Sequence, residues 1–408
     1  LARPKNISES RFISVYNNLE KHPTLNDVSI ELDVGVRSIR KRVVNLRKRG
    51  KHLIDRTKTS NKGVLKNPSK FEPETEILRM KIDALETELE AARSQVLTST
   101  LLLESIHNIK GKKFNTTPKW LVKPSRKLSV NGTPMLFISD IHADEIVLPS
   151  QVNGLNEYNR EIVTNRLNYT FDKSINILSK MPNHNYDGFV LCLGGDLISG
   201  DIHDELKETN QFPTNMTIVY LTSLLAANIK KLADEFKKVM VVCVVGNHGR
   251  TTRKPRNKNS VFENNEWLIY QFLAREFEND DRVSFLIPES QDALFNVYDY
   301  RFLLTHGSQF RGGNAIAGMF SPIMRGKHKK QQREITAKRM FDVLLLAHFH
   351  RRCFTDDMII NGSVKGYDQF AFNNNFEYSP PNQNLWIMHQ DEGIIFDTPI
   401  YCDGYLRI

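Results

Sequence analysis

Five short blocks of this sequence carry residues able to do metal chemistry, four of them at the ends of apolar runs. They are Asp140 and His142 in MLFISDIHADE, Asp196 in LCLGGDLISGDIHDE, Asn247 and His248 in VMVVCVVGNHGR, His306 in RFLLTHG, and His348 and His350 in DVLLLAHFHRR. Carboxylate and carboxamide oxygens and imidazole nitrogens are donors that suit divalent cations. A lone Asp at a strand end is commonly a turn former, and a lone His commonly a hydrogen-bonded structural residue. That reading fits His22, His52, His107, His184 and His389, which stand outside such blocks. Five blocks in one chain carry more weight than any one of them.

The elements that must position these side chains are strands. From Pro134 onward the pattern reads strand (MLFISD), helix (NREIVTNRLNYTFDKSINILSKM), strand (FVLCLGGD), helix (TIVYLTSLLAANIKKLADEFKK) and strand (VMVVCVVGN). This alternation predicts an α/β layered domain with its ligands at the carboxyl ends of the strands, converging on one polar rim. Farther on, ALFNVYDYRFLLTHG alternates as antiparallel strands do, and CFTDDMIINGSVKG is placed to return into a sheet.

Taken in order, Asp140-x-His142, Gly195-Asp196, Gly246-Asn247-His248, His306-Gly307 and His348-x-His350 resemble the motif blocks of the calcineurin-like metallophosphoesterase family. The resemblance implies an α/β sandwich of mixed sheets flanked by helices. It implies two divalent cations about 3.5–4 Å apart, Mn²⁺ first and Fe, Zn or Mg as alternatives. Asp196 would bridge them, with Asp140, His142 and His350 on one ion and Asn247, His306 and His348 on the other. The spacing within each x-separated pair would let both members share a strand face, unless the chain is already turning at the strand end. His248 would donate to the phosphate or protonate the leaving oxygen. An acidic residue commonly follows this His in the family, and here the next residue is Gly249. Asp144, Asp201 and Glu205 are the candidates to orient His248 in its stead, and His203 in the same GDIHDE stretch is a candidate neighbour of the site or of its substrate. Ala347 also stands where a glycine often precedes the last His pair.

The N-terminal part reads differently. Residues 1–70 hold 17 Lys and Arg against 6 Asp and Glu, or +11, which leaves 39 against 41, or −2, for the rest. The basic charge therefore points to a polyanionic partner for this part. Phe12, Val15, Tyr16 and Leu19 have helical spacing behind a Ser8 or Ser10 cap, a second helix is expected over 24–32, and a third after Gly35. LDVGVRSIRKRV resembles the turn and recognition helix of a helix-turn-helix DNA-binding domain, here set at residues 1–56. Ile39, Val43 and Leu46 would face inward, leaving Arg37, Arg40, Lys41, Arg42, Arg47, Lys48 and Arg49 to phosphates and base edges. HLIDRTKTSNKG is a candidate wing. A polar linker is expected at 57–73. Over 74–109, Leu78, Ile82, Leu85, Leu89, Ala92, Val96, Ser99, Leu103 and Ile106 step by four and three, the seam of a coiled coil that would pair chains as a homodimer or higher oligomer. A basic connector at 110–133 leads into the catalytic domain at 134–408.

Basic residues also surround the metal motifs: Arg250, Arg253, Lys254, Arg256 and Lys258 after the third block, then Arg311, Arg325, Lys327, Lys329, Lys330 and Arg333 after His306, where Gly312 and Gly313 add backbone amides. Glycine amides and cations beside a metal site suit phosphates. Together these features predict a metal-dependent phosphodiesterase acting on DNA, a nuclease whose catalytic block is similar to the nuclease subunits of double-strand-break repair exonucleases. A phosphomonoesterase or protein phosphatase tethered to DNA, and a DNA-binding regulator with a non-catalytic phosphoesterase scaffold, are the alternatives. No run of about 18 apolar residues and no charged-then-apolar leader is visible, so no membrane span or secretory signal is expected. The chain begins at Leu1 rather than Met, which leaves open whether a leader precedes it. Four cysteines make no disulfide framework, and Cys192 and Cys243 sit in apolar runs, which predicts a reducing cytoplasm.

Overall fold

The computed structural model describes residues 7–18, 20–22, 24–54, 117–122, 132–182, 184–311 and 318–404. The chain divides into two compact units, Leu1–Leu97 and Thr98–Ile408. The linker expected at 57–73, the heptad helix at 74–109, most of the connector at 110–133, and Gly312 and Gly313 lie outside the described residues.

The first unit holds helices α1 (Glu9–Asn17), α2 (Leu25–Leu32) and α3 (Val36–Lys48). Ser8 caps α1 by accepting from the Arg11 amide at 3.3 Å. Thr24 and Asp27 form a reciprocal capping box on α2, and Asp33 ends that helix in the left-handed region at φ 51°. Phe12, Tyr16, Val28, Leu32, Ile39, Val43, Leu46 and Leu53 form one core. On α3 the steps of four and three from Ile39 to Val43 to Leu46 bury one face, and Arg37, Arg40, Lys41, Lys48 and Arg49 are exposed on the rest. Two of the cations expected to meet a polyanion are engaged by the fold instead. Arg42 donates to the Ile7 carbonyl at 2.5 Å and lies over the Phe12 ring, and Arg47 donates to the Ile54 carbonyl at 3.1 Å. Both carbonyls lie where the chain enters and leaves the three-helix core, outside any helical ladder that would pair them.

In the second unit the strands are β1 (Thr133–Ile138), β2 (Phe189–Leu193), β3 (Val239–Cys243), β4 (Val283–Leu286), β5 (Asp292–Val297), β6 (Tyr300–Thr305), β7 (Val343–Leu346), β8 (Cys353–Thr355), β9 (Met358–Ile360), β10 (Asn382–His389) and β11 (Gly393–Tyr401). They form two mixed sheets, ordered β11-β10-β1-β2-β3-β4 and β5-β6-β7-β9-β8. β1 to β4 run parallel, and β10 and β11 add antiparallel to the β1 edge. In the second sheet β5 and β6 are an antiparallel pair, as their alternation predicts, while β6, β7 and β9 are parallel.

Period-two burial stacks the layers. Leu136, Ile138, Leu191, Leu193, Val241 and Cys243 pack with the helices Arg160–Ser179, Thr214–Phe236 and Asn265–Glu276. Their neighbours Met135, Phe137, Val190, Cys192, Met240 and Val242 point the other way, into Phe302, Leu304, Val343 and Leu345 of the second sheet. Leu303, Leu344 and Leu346 then face Ile323 of the helix Phe320–Thr336. The order is helix, sheet, sheet, helix. Each apolar side chain buried this way contributes about 1.5–3 kcal/mol relative to exposure. Among the described residues no helix is long and apolar enough to cross a membrane.

The strands that end in metal motifs are divided between the two sheets: β1, β2 and β3 belong to the first, and β6 and β7, which carry His306 and the His348–His350 pair, to the second. A continuous apolar run reads alike in both because both are covered on two faces. One expectation needs correcting: the cations of the helix Phe320–Thr336 do not all surround the site. Lys327 is buried against Asp357, Lys330 donates to Asp292 at 2.6 Å, and Arg333 pairs with Asp292 and Glu334, so these three tie the helix to its sheet.

Candidate metal centre

All seven proposed ligands come from the turns that follow five strands, and five of them sit in left-handed backbone: Asp140 (φ 52°), His142 (48°), Asp196 (50°), His348 (72°) and His350 (53°). Such conformations are uncommon for residues other than glycine and persist where surrounding structure enforces them. They also distinguish the two origins open to the x-separated pairs. Asp140 and His142 lie beyond the last residue of β1, and His348 and His350 beyond β7, so what repeats every second residue is a left-handed turn rather than a strand pleat.

The turns are held by buried polar groups. Ser139 donates to Asp140 Oδ2 at 2.6 Å, and Ser139 in turn is fixed by Gln383 and Asn361. The His348 amide donates to Asp140 Oδ1 at 3.1 Å, which joins the two sheets at this rim. A Cβ on Gly246 would lie 2.1 Å from Asp196 Oδ1, so only glycine lets the third turn lie against the second.

The side chains converge as two adjoining donor sets. Asp140, His142 and His350 bring one ligand atom each within 4.8 Å of one another, as do Asp196, His306 and His348. His306 Nε2 is 3.2 Å from Asn247 Oδ1, which places Asn247 with the second set. The sets meet at Asp196: its Oδ2 lies 3.0 Å from His306 Nε2 and 3.9 Å from His142 Nε2. Asp140, His142, Asp196 and His306 are buried, while Asn247, His248, His348 and His350 are partly exposed, so the cluster has a closed floor and an open mouth. His306 Nδ1 donates to the Gly194 carbonyl at 2.9 Å, which turns its Nε2 toward Asp196 and Asn247.

These donors fit divalent cations. His142 Nε2 and His350 Nε2 stand 3.1 Å apart. Two imidazole nitrogens bound at about 2.0–2.1 Å to one ion are separated by about 3.0–3.4 Å. Burial, with Lys365 second, holds His142 well below its ordinary value of 6.5, and burial followed by His306 pushes His348 down to about 4. Both are therefore neutral at neutral pH, the form that ligates. Burial also opposes charge on His306, yet Asp196 outweighs it and lifts His306 to about 9; in turn Asp196 is held well below the usual carboxylate range despite its burial.

His248 lies beside these sets, its ring edge-on to His142 with centroids 4.4 Å apart. Its amide donates to Asp196 Oδ1 at 2.8 Å, and its Nδ1 donates to the Ser199 carbonyl at 2.9 Å. That carbonyl, rather than a carboxylate, orients the ring. Asp144 is committed elsewhere, to Arg160 at 2.7 Å and to Thr217; Asp201 accepts from Thr214 at 2.8 Å; His203 and Glu205 are exposed at the start of the short helix Asp204–Thr209. A backbone carbonyl is invisible to a search for acidic residues.

An open cleft of about 360 Å³ adjoins the second set, with Asn247, His306 and His348 at one end and Arg250, Arg256 and Arg311 among its walls. Arg250 is engaged there, donating to the carbonyls of Asn247 at 2.8 Å and Thr252 at 3.0 Å, whereas Arg311 is exposed. Sequence reading also passed over Lys365, a buried ammonium that lies near His142 and pairs with Glu145 at 2.9 Å and with Asp368. It passed over Glu266, whose carboxylate accepts from the amides of Leu197 and Gly246 at 2.7 Å each. Burial and then Asp196 push Glu266 up to about 8. Yet two accepted N–H bonds call for the ionised form, which a cation on Asp196 would favour. No signal in NNEW separates that glutamate from an ordinary residue of a helix first turn.

No family model and no curated protein matches the chain. Among solved structures it is similar to a conserved uncharacterised protein of Streptococcus pneumoniae described as a predicted phosphoesterase, with 9% identity, 65% of this chain and 96% of that chain covered, and a TM-score of 0.24. It is also similar to the sulfate thiohydrolase SoxB of Thermus thermophilus in complex with glycerol, with 8% identity, 67% of this chain and 57% of that chain covered, and a TM-score of 0.29.

Proposed function

We propose that this chain is a dinuclear metal-dependent phosphodiesterase of the calcineurin-like kind that cleaves DNA, guided by helices α1 to α3 of its N-terminal unit acting as a helix-turn-helix DNA-binding domain. One observation carries the reading: a single carboxylate oxygen, Asp196 Oδ2, faces imidazoles of two separate donor sets at 3.0 and 3.9 Å. Asp140, His142 and His350 would hold one cation, Asn247, His306 and His348 the other, and Asp196 would serve both. Mn²⁺ suits this mixture of carboxylate, carboxamide and imidazole. When bound, such a pair supplies Lewis acidity to a phosphoryl group and an acidified water.

The chain's own residues do the rest. The partly exposed mouth admits a phosphate, and the closed floor keeps solvent from the far side of the donors. His248 is placed to move the proton. Its Nδ1 is committed to the Ser199 carbonyl, so Nε2 is the atom that takes or gives it. Burial holds His248 below its ordinary value, and an incoming phosphate anion favours the charged ring that can donate to the leaving oxygen.

DNA is favoured over small phosphoesters by the exposed Arg37, Arg40, Lys41, Lys48 and Arg49 on α3 and by Arg256 and Arg311 along the cleft. The heptad seam from Leu78 to Ile106 would pair two chains, and so two DNA-binding heads and two catalytic units, in a reducing cytoplasm. The test is an assay of purified protein with Mn²⁺ on single- and double-stranded DNA beside bis-aryl and mono-aryl phosphates. Cleavage of DNA and diester that is lost in Asp196→Asn, with DNA binding retained, is expected; cleavage of monoesters alone, or of nothing, sinks the proposal.

A further inference from the structure

Glu266 is completely buried in the first turn of the helix Asn265–Glu276. Its two oxygens reach different turns: Oε1 accepts from the Leu197 amide and Oε2 from the Gly246 amide, both at 2.7 Å. Leu197 directly follows Asp196, and Gly246 directly precedes Asn247. One carboxylate therefore straps the turn after β2 to the turn after β3 at the residues flanking two proposed ligands. The helix end adds to the strap, because Asn264 Nδ2 donates to the Gly246 carbonyl at 2.8 Å and the Asn265 amide donates to the Gly249 carbonyl at 2.7 Å.

Gly249 leaves the room for it. A Cβ on residue 249 would stand 2.3 Å from Asn264 Oδ1, 2.6 Å from Glu266 Cγ and 2.9 Å from Glu266 Cδ. A side chain at 249 and the Glu266 carboxylate thus compete for one space. Removing the carboxylate would leave two buried amides without acceptors, and replacing it by Gln would set an NH₂ donor against one of them.

We infer that Glu266 is a positioning residue of the metal centre, a carboxylate clamp that holds Asp196 and Asn247 in register, and that the glycine at 249 is the space it requires. This rests on the metal reading above, and it predicts that the clamp can be supplied from the other side: in Glu266→Ala, an aspartate at 249 would bring its carboxylate into the vacated space.

The test compares wild type, Glu266→Ala, Glu266→Gln, Gly249→Asp and the double variant Glu266→Ala/Gly249→Asp in the full chain. Mn²⁺ affinity is read by calorimetry, and protection of the Leu197 and Gly246 amides by hydrogen exchange without metal. Both Glu266 variants should bind Mn²⁺ roughly 10–100-fold more weakly, as expected for loss of a group that orients ligands, and should lose protection at those two amides. Gly249→Asp alone should be impaired, and the double variant should recover affinity and protection relative to Glu266→Ala. Unchanged affinity and protection in both Glu266 variants, or a double variant no better than Glu266→Ala, overturns the inference. If wild type binds no divalent ion, the metal reading falls, and amide protection still decides whether the clamp exists.

Discussion

Asp196 and His306 meet oxygen to nitrogen at 3.0 Å, although one follows β2 in the first sheet and the other follows β6 in the second. The amide of His348 makes a parallel join to Asp140 at 3.1 Å. The candidate centre is therefore a seam between two sheets, and its geometry depends on their packing as well as on the turns that carry the donors. Met135, Phe137, Phe302 and Val343 of the interlayer core set that distance.

If Asp196 serves both donor sets, as proposed, metal binding should be separable by mutation. Calorimetry or electron paramagnetic resonance on metal-depleted protein should count two Mn²⁺ per chain. His350→Ala should remove one and leave the second, His348→Ala should do the converse, and Asp196→Asn should weaken both. A single site per chain in wild type, or loss of both ions in each histidine variant, would show that the sets do not act as two.

The strand ends were legible in the sequence because a continuous apolar run gives way to polar residues within a few positions, as at Leu193 to Asp196 or Leu346 to His348. Which strand joins which sheet was not, since β3 and β7 are the same kind of apolar run whichever partner they pair with. Glu266 and Ser199 escaped for another reason: one acts through backbone amides and the other through its own carbonyl, and neither leaves a compositional trace. Arg42 and Arg47 looked like their neighbours on α3, and only the path of residues 7 and 54 distinguishes them.

That distinction gives a prediction for the first unit. Arg37→Ala, Arg40→Ala and Lys41→Ala should each lower DNA affinity, reduce the log–log salt slope by about 1, and leave the melting temperature alone. Arg42→Ala should instead destabilise the unit by about 1–2 kcal/mol, since it removes a charged donor from the Ile7 carbonyl and a cation from the Phe12 ring. Equal effects of all four on binding, with none on melting, would contradict the assignment of Arg42 to the fold.

Asp292 gives a pH prediction. Burial would raise its carboxyl, but Lys330 at 2.6 Å outweighs that, with Arg333 adding to it, and holds it below the ordinary 3.8. Lys330 is itself held below its ordinary value because burial costs its charge more than Asp292 returns. A carboxyl lower in the folded than in the unfolded chain contributes stability that is full above 3.8 and drains away as pH falls through the folded value. Asp292→Asn should cost about 3–5 kcal/mol at neutral pH by leaving buried Lys330 unpaired, and should flatten the loss of stability between about pH 5 and pH 3. Urea titrations across that range check it; parallel curves for variant and wild type would exclude Asp292 as the titrating group.

The two arginines of the cleft should fail in different ways. Arg311 is exposed at its wall, where a DNA strand leaving the metal centre would run, so Arg311→Ala should raise the KM for DNA several-fold and lower its salt dependence with little change in kcat. Arg250 holds the carbonyl of Asn247 at 2.8 Å and that of Thr252 at 3.0 Å. Its loss should loosen a proposed ligand rather than a substrate contact. Arg250→Ala is therefore expected to lower kcat on DNA and on a bis-aryl phosphate alike, and to weaken Mn²⁺ binding measured without substrate. An Arg250→Ala enzyme impaired only on DNA would return that residue to the substrate side, and the turn after β3 would then be held without it, by the bonds of Glu266, Asn264 and Asn265 and of the His248 amide.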